Sequence, residues 1–455
     1  MTEAQPLVLS TPHAAAGAPS GRVIAKALRD NAILVFPPEA FEEDVVRRSF
    51  FGRQQIILNR AAGIHHILVE NTENYRRTPA TMRMLRPLLG NGLLLSQGED
   101  WKHQRRTVAP AFAARTMPLL ARHVARATEA TVAGLAGSAE RHVDLLTAMQ
   151  SLALEIAGNS MFSLAMERYR PELRDLITGY TAGLGRPSLL DFLLPLAIPS
   201  PRDLARRRVR RRWVGLIGRI IAERREKASA EAPRDLFDLL STARDPETGA
   251  LFSAEDLVDQ IATLIAAGHE TTGVALFWSL WLVAAAPDVQ ERLAAEGERL
   301  DLGPDNAAEV LPKLVYTRAV VQEALRLYPP AFTIVRLAKH ADDAGGIQVP
   351  AGAIVFIAPW ALHRHRRLWV QPEVFDPARF LPGTPPPDRS AYLPFGVGPR
   401  VCVGAQFALT EATLVLATMI KAFRIERADD DPVMPVGIVT TQPDHPPLFL
   451  LQPRR

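Results

Sequence analysis

A single cysteine, Cys402, stands in a chain of 455 residues, so no internal disulfide can hold the fold and a packed core has to do so. It sits inside the run Phe395-Gly396-Val397-Gly398-Pro399-Arg400-Val401-Cys402-Val403-Gly404. A lone thiol has three uses: packing, nucleophilic attack or metal ligation. Glycines on both sides let the backbone close around the sulfur, and Arg400 adds positive charge that favours the thiolate. The apolar stretch 405–423 reads as a helix, whose N-terminal dipole favours an anion further. Together these features describe a place for a soft metal, with haem iron the leading candidate.

The spacing Phe395-x-x-Gly398-x-Arg400-x-Cys402-x-Gly404, with Ala408 four residues on, resembles the haem-binding loop of the cytochrome P450 family. The resemblance implies haem b with Cys402 as the axial thiolate and the other five residues around the group. A thiolate ligand pushes electron density onto iron and favours O–O cleavage. An inert cysteine in a glycine-rich turn is the plain alternative, and five matches in ten positions make it a poor account. A nucleophilic thiol would need a base. His363 and His365 are the nearest histidines in sequence, but in no recognisable nucleophile pattern.

Composition is ordinary for a globular chain, at 47% hydrophobic and 22% charged, and the length alone allows two or three domains. No repeat and no linker divides it. The expectation is a flexible N-terminal segment over residues 1–20 and one mainly α domain over 21–455, with a small β-rich lobe. A net charge of +4 is too mild to imply nucleic acid. Arg206, Arg207, Arg208, Arg210, Arg211 and Arg212 do cluster, but Trp213, Leu216, Ile220 and Ile221 follow at helical spacing. A solvated helix face is preferred over a nucleic-acid or anionic-membrane patch. The first twenty residues lack a basic start and apolar run, and the apolar segment 261–286 is broken by His269, Glu270, Thr271 and Thr272. No transmembrane anchor is expected, and the protein is expected to be cytoplasmic and monomeric.

Helical patterns cover 117–135, 143–163, 171–184, 204–228, 253–286, 288–296, 311–328 and 405–423, with Ser253 and Asp256 a capping pair for the longest. Strand-like segments are 54–58, 66–69, 346–349, 353–358 and 447–451. Residues 362–394 are proline-rich and irregular.

Three further constellations follow the family's order. Ala267-Gly268-His269-Glu270-Thr271-Thr272 places glycine, carboxylate and threonines inside a long apolar helix, against local preference. The run resembles the family's oxygen-activation motif, which implies that Thr271 steadies dioxygen and Glu270 relays protons; a kinked helix is the bland alternative. Glu323 and Arg326, at i and i+3, are by themselves a common helix pair. In the family such a pair bonds an arginine ahead of the cysteine, and Arg379 in Pro377-Ala378-Arg379-Phe380 is the candidate. Trp101 and Arg105 would share one face if their stretch is helical, and the family uses such donors, with Arg400, for the haem propionates. Arg336 is a further propionate candidate.

Substrate candidates come from position alone: Met82, Met84, Leu88, Leu89, Thr263, Ala266, Ala331, Phe332, Ile334, Ile438 and Val439. Most are apolar, which suits a hydrophobic substrate, and any could be core. The segment 189–198 reads as a mobile lid, a peripheral membrane contact or a plain covering loop. The resemblance implies a monooxygenase that inserts one oxygen atom from O2. No glycine-rich dinucleotide fingerprint or cysteine cluster appears, so electrons from NAD(P)H must arrive through a separate ferredoxin or flavodoxin and its reductase. Lys102, Arg106, Arg400 and Lys421 are candidates for a basic docking face. Two rivals are a peroxide-driven peroxygenase on the same fold and a haem-binding sensor or carrier without turnover.

Overall fold

The chain is seen in a computed structural model that describes residues 7–9, 12, 21–50, 52–137, 142–164, 166–226 and 234–454. Most of the segment 1–20 therefore lies outside the described residues. Residues 7–9 pair with the backbone at 373–375, and Leu9 is buried.

The long helix Ala254–Ala284 forms the axis of the molecule. Ser253 starts it: its hydroxyl accepts from the Asp256 amide at 3.1 Å, as the capping pair predicts. Beyond Gln260 the helix is buried on almost every side, because it is apolar almost all round. It packs on helices Leu145–Phe162, Ala405–Ala422 and Val315–Leu327. At Gly273 the first of these comes so close that a Cβ would stand 2.9 Å from the Gln150 Cα. Glycine there is required by the contact.

The β-rich lobe holds a five-stranded sheet in the order Val45–Phe50, Arg53–Leu58, Ile354–Ile357, Ile334–Ala338, Tyr75–Arg76. Only the pairing of Arg53–Leu58 with Ile354–Ile357 is parallel. A three-stranded sheet joins His142–Asp144, Leu448–Pro453 and Phe423–Arg427, and a short hairpin pairs Pro435–Gly437 with Thr441–Pro443.

Most expected helices form within a few residues of their predicted ends. Residues 66–69 are the clear exception: they coil as His66–Glu70, continuous with helix Ala61–His65. Both His65 and His66 bond the Glu70 carboxylate at 3.0 Å, a helical spacing that the branched run Ile67-Leu68-Val69 did not reveal. The helix expected from 311 begins instead at Val315, after a separate turn containing Pro312, and the Glu296 carboxylate accepts from the Tyr316 and Thr317 amides at its start. Strand 346–349 shrinks to Gln348–Val349. Helices Pro79–Leu89 and Leu236–Thr242 and strands Val45–Phe50 and Ile334–Ala338 were not anticipated.

The arginine cluster lies on helix Pro201–Glu226 and is not uniformly solvated. Arg206 is buried and grips Asp191 with two bonds, at 2.6 and 3.0 Å. Among the described residues no single helix is long and apolar enough to cross a membrane. The bent pair Ala254–Ala284 and Pro287–Gly297 meets the length and composition, at an angle of 112°, but its first helix is the buried axis.

Candidate active site

Helix Ala405–Ala422 leaves the Cys402 loop and packs against helix Ala254–Ala284. Along the latter, Ala266, Ala267, Gly268 and Thr271 are only half-buried, while the residues before and after them are enclosed. A Cβ on Gly268 would meet nothing within 4 Å. Cys402 is itself exposed, yet burial is the leading influence on its thiol and pushes it up. A group can be both only on the wall of an internal concavity.

The loop's shape rests on two glycines at positive φ, Gly396 at 73° and Gly398 at 81°. At Gly398 a Cβ would come within 2.2 Å of the Leu68 carbonyl oxygen, so the coil His66–Glu70 is what fixes this glycine. The Cys402 amide donates to the Phe395 carbonyl at 2.9 Å and closes the loop. Against burial, the Gly404 amide and then the Arg105 guanidinium favour the thiolate. This corrects the expectation for Arg400, which stacks over the Trp101 ring at 4.4 Å and donates to the Ser96 carbonyl. Trp101 and Arg105 do lie on one helix, Gly98–Val108, and Arg105 donates to the Val401 carbonyl at 2.8 Å.

Sequence reasoning missed Arg77. Its Nε is buried without a hydrogen-bond partner. Burial, with Arg336 and Arg400 adding repulsion, pushes its guanidinium down to about 9. Burial followed by Arg400 lowers Arg336 to about 10. None of the three has a carboxylate at ion-pair distance among the described residues. Arg336 and Arg400 line one cleft with Tyr75, Ile334, Gly396 and Val397. Three crowded, unpaired guanidiniums demand an anion with several oxygens. A haem fits this donor set: Cys402 would hold its iron, and Arg77, Arg336 and Arg400 would neutralise its propionates. The only signal in the sequence is the pair Arg76-Arg77 just ahead of Thr78-Pro79.

On helix Ala254–Ala284 the Thr271 hydroxyl donates to the Ala267 carbonyl at 2.6 Å. Glu270 turns away from its own helix to the hairpin, where its Oε1 accepts from Thr440 Oγ1 at 2.9 Å and Gln442 Nε2 at 3.1 Å. Burial raises its carboxyl. His269 is buried, and burial lowers its ring to about 4.

Glu323 and Arg326 are fully enclosed and doubly bonded, at 2.7 and 2.8 Å. Arg379 stands 3.5 Å from Glu323, and Arg326 also donates to the carbonyls of His363, Pro372 and Val374. His363 and His365 serve elsewhere: His363 Nε2 accepts from the Leu393 amide, while His365 meets the Glu43 carbonyl. Neither is a base for Cys402.

Of the substrate candidates, Leu88, Leu89 and Phe332 are buried in apolar cores. Thr263 donates to the Leu89 carbonyl at 3.0 Å and is buried too. Met82, Met84, Ala266, Ile334, Ile438 and Val439 are half-buried, and Ala331 is exposed. The basic docking candidates are all engaged: Lys102 with Glu99, Arg106 with Asp245 and Glu247, Lys421 with the Leu300 carbonyl, and Arg400 as described.

A mainly helical chain with a thiol loop, an arginine cluster for propionates and a threonine-bearing helix is a haem-thiolate oxidoreductase. The family described as Cytochrome P450 matches residues 39–448, and the chain belongs to that family. It is similar to the cyclooctat-9-en-7-ol 5-monooxygenase of Streptomyces melanosporofaciens, 34% identical over 75% of this chain and 74% of that one. Pentalenene oxygenase of Streptomyces avermitilis is 31% identical over 78% of each chain. The crystal structure of the cytochrome P450DA heme domain superposes with a TM-score of 0.78 over 90% of each chain at 24% identity. The protein is a haem-thiolate monooxygenase that uses O2, an organic substrate and electrons from a redox partner.

Proposed function

We propose that this monooxygenase oxidises an apolar alkene or alkenol of the terpenoid class, with electrons from NAD(P)H passed through a reductase and a ferredoxin or flavodoxin. The relatives' names, an alkenol monooxygenase and an alkene oxygenase, favour terpenoids over fatty acids and steroids. The half-buried apolar positions Met82, Met84, Ala266, Ile334 and Val439 suit the same chemistry. Haem bound through Cys402 supplies the oxidation itself. This chain's residues do the rest. Arg77, Arg105, Arg336, Arg400 and Trp101 neutralise and orient the propionates. Thr271, now donating to Ala267, re-aims its hydroxyl toward the substrate side and holds a proton there. Glu270 keeps a proton readily because burial raises its carboxyl, and Thr440 and Gln442 occupy Oε1 as an acceptor, which leaves Oε2 to carry and pass it. Phe395, Gly398, Gly404 and Ala408 would shape the loop and helix start beside the ring; Glu323, Arg326 and Arg379 clamp the loop ahead of it.

The observation that carries this reading is the half-buried stripe Ala267–Gly268–Thr271, open at Gly268, on the helix that packs against the one leaving the Cys402 loop. Titration of the ferric protein with linear fatty acids, terpenoids and steroids tests the substrate. A saturable Soret shift to shorter wavelength is expected with terpenoids only, and a shift confined to another panel overturns the assignment. For Thr271→Ala, reductant consumption is expected to continue while product per electron falls roughly a hundredfold, the lower end of general acid–base effects. An unchanged product-to-electron ratio would remove Thr271 from proton delivery.

A further inference from the structure

Two glutamines far apart in the chain meet behind Glu270. Gln442, in the strand Thr441–Pro443, donates through Nε2 to Glu270 Oε1 at 3.1 Å and to Thr440 Oγ1 at 2.9 Å. Thr440 donates in turn to the same Glu270 oxygen. An amide can present either its NH2 or its carbonyl oxygen, and only the NH2 suits a carboxylate oxygen. Gln150 decides between the two: its Nε2 donates to Gln442 Oε1 at 3.3 Å. With its oxygen taken from behind, the Gln442 amide keeps its NH2 toward Glu270.

Both partners of this lock are fixed by backbone contacts. Gln150 lies where helix Leu145–Phe162 comes against Gly273, three residues past Glu270, at a separation that leaves no space for a Cβ. Thr441, between Thr440 and Gln442, is pinned on three sides. Its hydroxyl donates to the Pro329 carbonyl at 2.6 Å, its amide to the Pro330 carbonyl at 3.2 Å, and its carbonyl accepts from Trp278 Nε1 at 2.7 Å. Charged groups on the packed elements are occupied elsewhere. Glu155 pairs with Arg170, Glu323 pairs with Arg326, and Glu411 feels burial alone. His269, beside Glu270 on its own helix, is buried, and burial keeps its ring neutral near pH 7. Burial, Thr440 and Gln442 are what act on Glu270.

We propose that Gln150 and Gln442 are positioning residues for proton delivery: Gln150 locks the Gln442 amide, and the locked amide keeps Glu270 Oε1 an acceptor, so that Oε2 carries the proton. Neither touches the reacting atoms. Both act through Glu270, and their role rests on its delivering protons as proposed above.

Infrared titration of the ferric, haem-loaded protein reads the lock without turnover, the protonated Glu270 band being the one lost in Glu270→Gln. The hydrogen bonds to Oε1 favour the ionised carboxylate against burial, so removing one raises the midpoint. Gln442→Met is expected to raise it by about one pH unit, roughly a tenfold drop in the ionisation constant. Gln150→Met, which frees the amide without touching Glu270, should lower that constant by roughly threefold. Product per electron should fall roughly tenfold in Gln442→Met, and fall no further when that change is added to Glu270→Gln. Unchanged haem absorbance shows intact folding. A midpoint that either substitution leaves in place overturns the lock, even where Glu270→Gln lowers product per electron, and so does a further fall in the double variant. Unchanged product per electron in Glu270→Gln instead removes proton delivery by Glu270, and with it the role of both glutamines.

Discussion

Arg77, Arg336 and Arg400 illustrate how a site announces its ligand through what its residues lack. Guanidiniums crowded without carboxylates are unfavourable for the protein alone, and an anion between them relieves the repulsion. Replacing Arg77 by Gln removes one such charge without changing the fold's apolar packing. Haem release to an acceptor protein is then expected to accelerate roughly tenfold, about the worth of one charge-assisted hydrogen bond. Unchanged release would mean that Arg77 faces some other anion. Single residues also mark where sequence reasoning was accurate and where it slipped. Cys402 stood out because no second cysteine competed for attention. The charge that favours its thiolate was misassigned to Arg400, two positions away, when the fold brings Arg105 there from another helix.

At the scale of elements, helix Val315–Leu327 and the irregular loop 362–394 depend on one another. Arg326 spends its donors on Glu323 and on three loop carbonyls, while Glu323 Oε1 also accepts from the Asp376 amide at 2.9 Å. Glu323→Gln leaves the buried Arg326 charge uncompensated, which is expected to destabilise the protein by about 3–5 kcal/mol. Denaturant unfolding followed by the haem band checks it; a loss under about 1 kcal/mol, the range of exposed pairs, would mean that the clamp is not needed. The i, i+3 spacing was legible, but the loop that it holds was not. Periodicity reports which residues share a helix face and is silent on which backbone oxygens come to meet them. The same limit hid strand Ile334–Ala338, which pairs with Tyr75–Arg76 far back along the chain.

For the whole molecule, acid–base behaviour carries the imprint of burial. Glu411 is buried in helix Ala405–Ala422 with Oε1 unbonded, and burial raises its carboxyl well above the ordinary carboxylate range. It keeps its proton in the folded chain where the unfolded chain has lost it. Its contribution to stability is therefore complete at low pH and falls as pH rises above the ordinary carboxylate value toward the raised one. Glu411→Gln, which does not titrate, should lose less stability than the parent as pH rises above the ordinary carboxylate value. Parallel losses in the two proteins would show that Glu411 does not titrate in this window. The sequence alone determined the fold class, the family resemblance and the order of thiolate loop, threonine helix and acid–base clamp, because those are local patterns of spacing and residue type. Tertiary structure alone decided that Arg77 joins Arg336 and Arg400, that Glu270 is held by Thr440 and Gln442, and that Arg206 turns inward while its neighbours face out. Each of these joins residues through space, and burial, not sequence distance, sets their chemistry.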